Sequence, residues 1–279
     1  MSESSIENIL AELELRFDLS AIKPMTFDER QQHLIDMYNN SEGNLNEADG
    51  INCDICKNKG FIARLDENGY EIHTDCKCRV KRKTLARIKR SGLGDMISDC
   101  TFEKYNAADP WQIHCKDKAQ AFCSDDEAKW FFIGGQVGCG KTHLCTAIAS
   151  HYINRGAEVR YMLWAQDAKR LKALVNDIIY QEKIDIYKSV DVLYIDDFLK
   201  TKQGEAPTTA DINLAFEILN HRLLDREKIT IISSEKLLDE IIDYDEATMS
   251  RIKQKARRYT LNIKRDRSRN YRLRDSGVV

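Results

Sequence analysis

Gly135-Gln136-Val137-Gly138-Cys139-Gly140-Lys141-Thr142 has the spacing G-x-x-x-x-G-K-T. Glycines let successive backbone N–H groups turn inward around a phosphate. The lysine reaches the β- and γ-oxygens, and the threonine hydroxyl ligates Mg²⁺ at the positive end of a helix. The context this chemistry needs is present, since the apolar run Trp130 to Ile133 precedes the loop and the helical stretch His143 to Asn154 follows it. Gly135 to His143 are therefore the candidate nucleotide-binding residues, with Lys141 the phosphate cation and ATP with Mg²⁺ the expected cofactors.

A second apolar run, Val190 to Ile195, ends in Asp196-Asp197-Phe198. A buried parallel strand reads as a short apolar run, and carboxylates at its C-terminal tip lie where open α/β sheets bind ligands. Asp196 is then the expected Mg²⁺ partner, directly or through water, and Asp197 the expected polariser of an attacking water.

Nine cysteines are unevenly spread. Cys53-x-x-Cys56 and Cys76-x-Cys78 are two tight pairs separated by turn signals, and four thiolates from two knuckles suit tetrahedral Zn²⁺. His73 could substitute for one of them; the competing reading is reduced, unliganded cysteines on a hairpin. Cys100, Cys115, Cys123 and Cys145 read as small apolar packing residues, and Cys139 fills a variable position of the phosphate loop.

These groups need scaffolds, and 279 residues suffice for one large domain and a smaller one. Charged residues are 32% of the chain but the net charge is only −2, so global charge does not announce a nucleic-acid binder. Two stretches are locally basic: Arg79 to Arg90, and the tail from Arg251 to Arg274. Each is either a solvated face or a DNA contact. No apolar run approaches the ~20 residues that span a bilayer, and Met1 to Phe17 is acidic, unlike a signal peptide. The expectation is a cytoplasmic protein with no membrane partner.

Ile6, Ile9, Leu10, Leu13 and Phe17 recur at helical spacing behind the capping box Ser4-x-x-Glu7, and a second helix is expected from Thr26-x-x-Glu29. Their apolar stripe is an internal seam or a partner-binding face. The division expected is an N-terminal helical region over 1–50, a zinc module over 51–80, a basic linker helix over 81–100 and an α/β domain over 101–279. In the last, strands at Glu158 to Met162, Val190 to Ile195, Lys228 to Ser234 and Tyr259 to Ile263 alternate with helices at Ala165 to Ile179 and Asp211 to Leu224. That alternation is the mark of a parallel sheet flanked by helices.

In this order the motifs resemble the AAA+ replicative-helicase loaders of the DnaC and DnaI type, in the form carried by phages and prophages, which are related to IstB-like ATP-binding proteins. The resemblance is carried by the cysteine pairs, Arg90-Ser91-Gly92-Leu93, Thr101-Phe102-Glu103, the phosphate loop, Ile195-Asp196-Asp197-Phe198, Leu219-Asn220-His221-Arg222, Ile231-Ile232-Ser233-Ser234-Glu235 and Ser250-Arg251-Ile252. It implies an ATPase that binds the replicative hexameric helicase through its N-terminal region, delivers it to single-stranded DNA and self-associates through the AAA+ domain. It implies further that Ser234 or Glu235 senses the γ-phosphate, that Arg251 acts in trans as an arginine finger, and that Arg272 or Arg269 acts in cis. Tyr161 and Trp164, beside Lys169, Arg170 and Lys172, are candidates for stacking on single-stranded DNA, or else core residues. Two departures from the resemblance, Glu235 where many relatives have Asn and Leu199 where many have Gly, imply slow turnover. The alternatives are an IstB-like helper of a transposase, against which the cysteine module argues, and a non-hydrolysing adaptor, against which the intact Lys141, Thr142, Asp196 and Asp197 argue.

Overall fold

The computed structural model describes residues 25–202 and 205–273. The chain divides into two compact units, Met1–Arg82 and Lys83–Val279. In the first, helix α1 (Phe27–Asn40) starts at the expected capping box: the Glu29 amide donates to Thr26 Oγ1 at 3.2 Å and the Thr26 amide to Glu29 Oε2 at 2.8 Å. The helix expected over Ile6 to Phe17 lies outside the described residues. After the short helix α2 (Leu45–Asp49) come the antiparallel strands β1 (Phe61–Leu65) and β2 (Glu71–Asp75). Asn39 ties α1 to this hairpin by exchanging two hydrogen bonds with the backbone of Ala63. Helix α3 (Cys78–Ser91) crosses from one unit into the other.

The second unit begins with the remainder of α3 and the short helix α4 (Met96–Asp99), then runs through α5 (Pro110–Cys123), β3 (Trp130–Gly135), α6 (Lys141–Asn154), β4 (Val159–Leu163) and α7 (Trp164–Ala173). It continues through α8 (Tyr180–Ser189), β5 (Val192–Asp196), α9 (Thr209–Leu224), β6 (Ile229–Ser234), α10 (Leu238–Ile242), α11 (Glu246–Ala256) and β7 (Thr260–Ile263). Five strands form one parallel sheet in the order β4-β5-β6-β3-β7. Successive residues of β3 serve opposite faces: Trp130 and Phe132 join one buried cluster, Phe131 and Ile133 the other. A strand covered on both sides must be apolar throughout, and the first five residues of β3 are. The strand order puts β6 between the phosphate-loop strand and the acidic strand, so its tip lies between the two motifs.

Among the described residues the expected elements are present with shifted ends, with two exceptions: the linker helix expected over 81–100 ends at Ser91 and α4 follows separately, and Ala165 to Ile179 is not one helix. It breaks after Ala173 into a connection through Asn176 and Asp177, and α8 follows. Helix α5 was not anticipated because its buried face is Gln112, Cys115, Ala119, Phe122 and Cys123, a weak apolar signal. Among the described residues no helix is long and apolar enough to cross a membrane.

One buried cation holds several elements together. Arg222, on α9, is fully buried, and its guanidinium donates to the carbonyls of Tyr187, Lys188, Val190, Asp191 and Ile229 and to Thr230 Oγ1, at 2.7 to 3.4 Å. Burial lowers its pKa to about 10, so it is charged at neutral pH. It bonds backbone carbonyls that leave α8 and enter β5 and β6, of which that of Asp191 also accepts from the Ile229 amide. Arg222→Leu, which keeps bulk and removes the donors, is expected to lower stability by roughly 3 kcal/mol or more, the cost of orphaning several buried carbonyls. Chemical unfolding would read this directly; a loss below about 1 kcal/mol would show that the staple is dispensable.

Candidate functional site

The phosphate loop leaves β3 and closes onto α6. Gly138 and Gly140 take left-handed backbone, φ 79° and 88°, and side chains there would also collide: a Cβ would lie 2.0 Å from Asn270 Oδ1 at Gly138 and 2.8 Å from the Tyr105 ring at Gly140. Lys141 is buried, with Nζ donating to the carbonyls of Gly135 and Gln136 at 2.8 Å each. His143 Nε2 donates to the Thr101 carbonyl at 2.7 Å, and Cys139 is buried with its thiol donating to the Gln136 carbonyl. Burial pushes the Cys139 thiol above its ordinary range, which fits a packing role.

Asp196, at the end of β5, is the meeting point of the site. Its carboxylate accepts from Thr142 Oγ1 at 3.3 and 3.4 Å, from Tyr161 Oη at 3.1 Å, from the Asp197 amide at 3.1 Å and from Ser233 Oγ. Burial, then the charge of Asp196, raises the Tyr161 pKa, so the phenol stays a donor. Hard oxygens of a threonine and a carboxylate, already this close, fit Mg²⁺. Thr142 and Asp196 are the residues that would hold it.

Asp197 turns out of the strand with a left-handed φ of 54° and lines a cavity of about 350 Å³ with Gly138 to His143, Lys200 and Glu235. Tyr105, Asn106, Trp111, Tyr271 and Arg272 line its other side. The Tyr105 hydroxyl is buried without a hydrogen-bond partner, a polar atom that a bound nucleotide could satisfy. The tail reaches this cavity because it lies on the phosphate loop: Gln136 exchanges two hydrogen bonds with the backbone of Asp266, and the Tyr271 amide donates to the Gly138 carbonyl. Of the two tail arginines considered, Arg272 is on the cavity, whereas Arg269 sits over the Trp111 ring at 5.6 Å and bonds the Lys264 carbonyl.

Several open alternatives are narrowed. Ser234 is fully buried, its hydroxyl donating to the Phe198 carbonyl at 2.9 Å, so the side chain at the tip of β6 that faces the cavity is Glu235. Trp164 is also buried, edge-on to Phe198, so it offers no face for stacking on DNA, whereas Tyr161 is half-buried with its hydroxyl on Asp196. Arg251 is exposed on α11, bonded to Asn220, and does not line the cavity of its own chain. In the basic helix α3, Arg79, Arg82, Arg87 and Arg90 pair with Asp75, Asp49, Glu158 and Glu158. Tyr161, Ser233 and Lys200 belong to the site although the sequence assigns none of them these contacts; Ser233 and Lys200 lie at or just beyond the tips of β6 and β5, and Tyr161 is in the middle of β4.

In the first unit Cys53, Cys56, Cys76 and Cys78 come together, with all four Sγ atoms within 4.8 Å of one another. The Gly60 amide donates to Cys56 Sγ at 3.2 Å, as in a metal knuckle, and Arg82 at the start of α3 lies beside Cys78. The backbone amide of Cys56 holds the Cys53 thiol down, to about 7, whereas burial pushes Cys76 up to about 12. Four sulfurs at this spacing suit a tetrahedral soft-ligand site. His73 is not part of it: it pairs with Glu71 and packs edge-on against Tyr38.

Residues 101–256 match the family of the bacterial DnaA ATPase domain. Over 213 residues the chain is 38% identical to the uncharacterized protein YqaM of Bacillus subtilis (strain 168), covering 72% of this chain and 66% of that one. It is 28% identical to the phage-like element PBSX protein XkdC of the same organism, over 95% of each chain. It is 25% identical to the replicative helicase loader DnaI, again of Bacillus subtilis, over 52% of this chain and 53% of that protein. The chain thus spans just under two thirds of YqaM and about half of DnaI. It belongs to the bacterial DnaA ATPase-domain family, and is an AAA+ chain of the DnaC/DnaI-like, phage-element type.

Purified protein is expected to carry one zinc ion per chain, lost in a Cys53→Ser, Cys56→Ser double variant. Because a structural zinc contributes directly to folding, removal should raise hydrogen exchange in β1, β2 and the knuckles and leave the ATPase unit unchanged. Elemental analysis finding no zinc, or finding it retained in the double variant, would contradict the assignment.

Proposed function

We propose that this protein is an ATP-dependent loader that binds the replicative hexameric helicase and delivers it to single-stranded DNA. The observation that carries the reading is one cavity that joins Lys141, Thr142 and Asp197, with Asp196 behind it, in a chain of DnaC/DnaI-like type.

The roles follow from placement. Lys141 offsets β- and γ-phosphate charge, exchanging its two carbonyl partners for phosphate oxygens. Asp197 faces the cavity and orients water for in-line attack. Thr142 and Asp196 would hold Mg²⁺, which would supply positive charge against the developing phosphate charge. Arg272 approaches from the tail side in cis. Arg251, away from its own cavity, acts on the nucleotide of a neighbouring copy, where a guanidinium stabilises transition-state charge and couples hydrolysis to assembly. The cysteine unit and α1 dock the helicase; Phe27, Leu34 and Met37 are exposed apolar residues on that helix.

Co-purification tests the reading. With ATP present, wild-type chain should retain the hexameric helicase and release phosphate. Lys141→Ala should lose tight nucleotide binding, whereas Asp197→Asn should bind ATP and release no phosphate. A chain that binds ATP but retains no helicase would overturn the loader function, and equal ATP binding by both variants would overturn the assigned roles.

A further inference from the structure

The turn that follows β5 brings a cation back onto the catalytic carboxylate. The Lys200 amide donates to the Asp197 carbonyl at 3.0 Å, closing a turn over Asp197 to Lys200. Asp197 and Leu199 both have left-handed backbone, φ 54° and 52°, which residues with a Cβ keep only where their surroundings impose it. The surroundings do so here. The Phe198 amide donates to the Ser233 carbonyl at 2.8 Å, Ser234 Oγ donates to the Phe198 carbonyl at 2.9 Å, and the side chains of Phe198 and Leu199 are buried. The strained turn is therefore fastened to the tip of β6.

Its last residue points a charge into the site. Lys200 Nζ lies 2.9 Å from Asp197 Oδ2 and 2.7 Å from Glu235 Oε1, and all three residues line the cavity that Lys141 and Thr142 line. Burial alone would lower the proton affinity of Lys200, but Glu235 and Asp197 more than offset it, so the ammonium stays charged. A carboxylate held by an ammonium has one oxygen committed and is not free to orient water. Glu235 gives the ammonium a second anion to rest on, so it can release Asp197 without entering water unpaired.

We propose that Lys200 is a positioning residue that latches Asp197: while it bridges Asp197 and Glu235 the carboxylate cannot orient water, and hydrolysis requires Lys200 to withdraw toward Glu235. This rests on the ATPase reading of the site. It accounts for a carboxylate at position 235, since an uncharged residue there would leave Lys200 on Asp197 alone.

The test compares Lys200→Met and Lys200→Arg with wild-type full-length protein, by steady-state phosphate release at saturating MgATP and calorimetric binding of a non-hydrolysable ATP analogue. Lys200→Met is expected to raise kcat by roughly fivefold, the scale of a partly exposed ion pair, with analogue affinity within roughly twofold of wild type. Lys200→Arg should keep the slow wild-type rate. A kcat that is unchanged or lower in Lys200→Met, or no turnover in either protein, overturns the latch when analogue binding is intact. Weakened analogue binding in Lys200→Met also overturns it, because Lys200 would then serve the phosphates. Wild-type protein that binds no analogue overturns the ATPase reading and the latch with it.

Discussion

The site is organised around the buried carboxylate of Asp196. A carboxylate removed from water must be surrounded by donors, and here they come from four places: Thr142 of α6, Tyr161 of β4, Ser233 of β6 and the Asp197 amide. Because each donor belongs to a different segment, satisfying this one group fixes the phosphate-loop helix against three strands. The strand order is what makes the meeting possible, since β6 separates β3 from β5 and carries Ser233 into the gap. The same donors leave carboxylate and hydroxyl oxygens grouped where a divalent cation is needed.

Around that hub the elements have separate tasks. Arg222 closes the far side of the sheet, bonding backbone carbonyls at the end of α8, in the turn before β5 and at the start of β6. The tail from Asp266 to Arg272 lies across the phosphate loop and adds Tyr271 and Arg272 to the cavity wall. Asp197 and Glu235 sit at the tips of β5 and β6, close enough for one lysine to bridge them. In the first unit the four cysteine sulfurs converge, and a metal held there would supply the kind of staple that small modules commonly use.

What was legible in the sequence was chemistry tied to local spacing. The phosphate loop, the acidic strand end, the capping box at Thr26 and the cysteine pairs each depend on residues a few positions apart. They name their own partners, and the parallel sheet follows from strands that are apolar on both faces. Contacts made by residues far apart in sequence were not legible. Nothing in Val159-Arg160-Tyr161-Met162 says that the phenol meets Asp196, and nothing in Ser233-Ser234-Glu235 says which of the three faces the cavity. Backbone direction at the tip of β6 decides that, turning Ser234 toward Phe198 and leaving Glu235 toward the nucleotide side. Helix α5 was hidden for a different reason: cysteine, alanine and glutamine bury well yet carry little apolar signal.

The Mg²⁺ dependence of nucleotide affinity tests most directly whether Asp196 is the cation-holding group. Calorimetric titration of a non-hydrolysable ATP analogue, with and without Mg²⁺, should show wild-type affinity rising with the metal. Asp196→Asn, which keeps the shape and most of the hydrogen bonds, should bind the metal-free analogue as wild type does and lose that rise. If Asp196→Asn gained as much affinity from Mg²⁺ as wild type does, the hub would be a structural network only, and the site would have to hold its cation elsewhere.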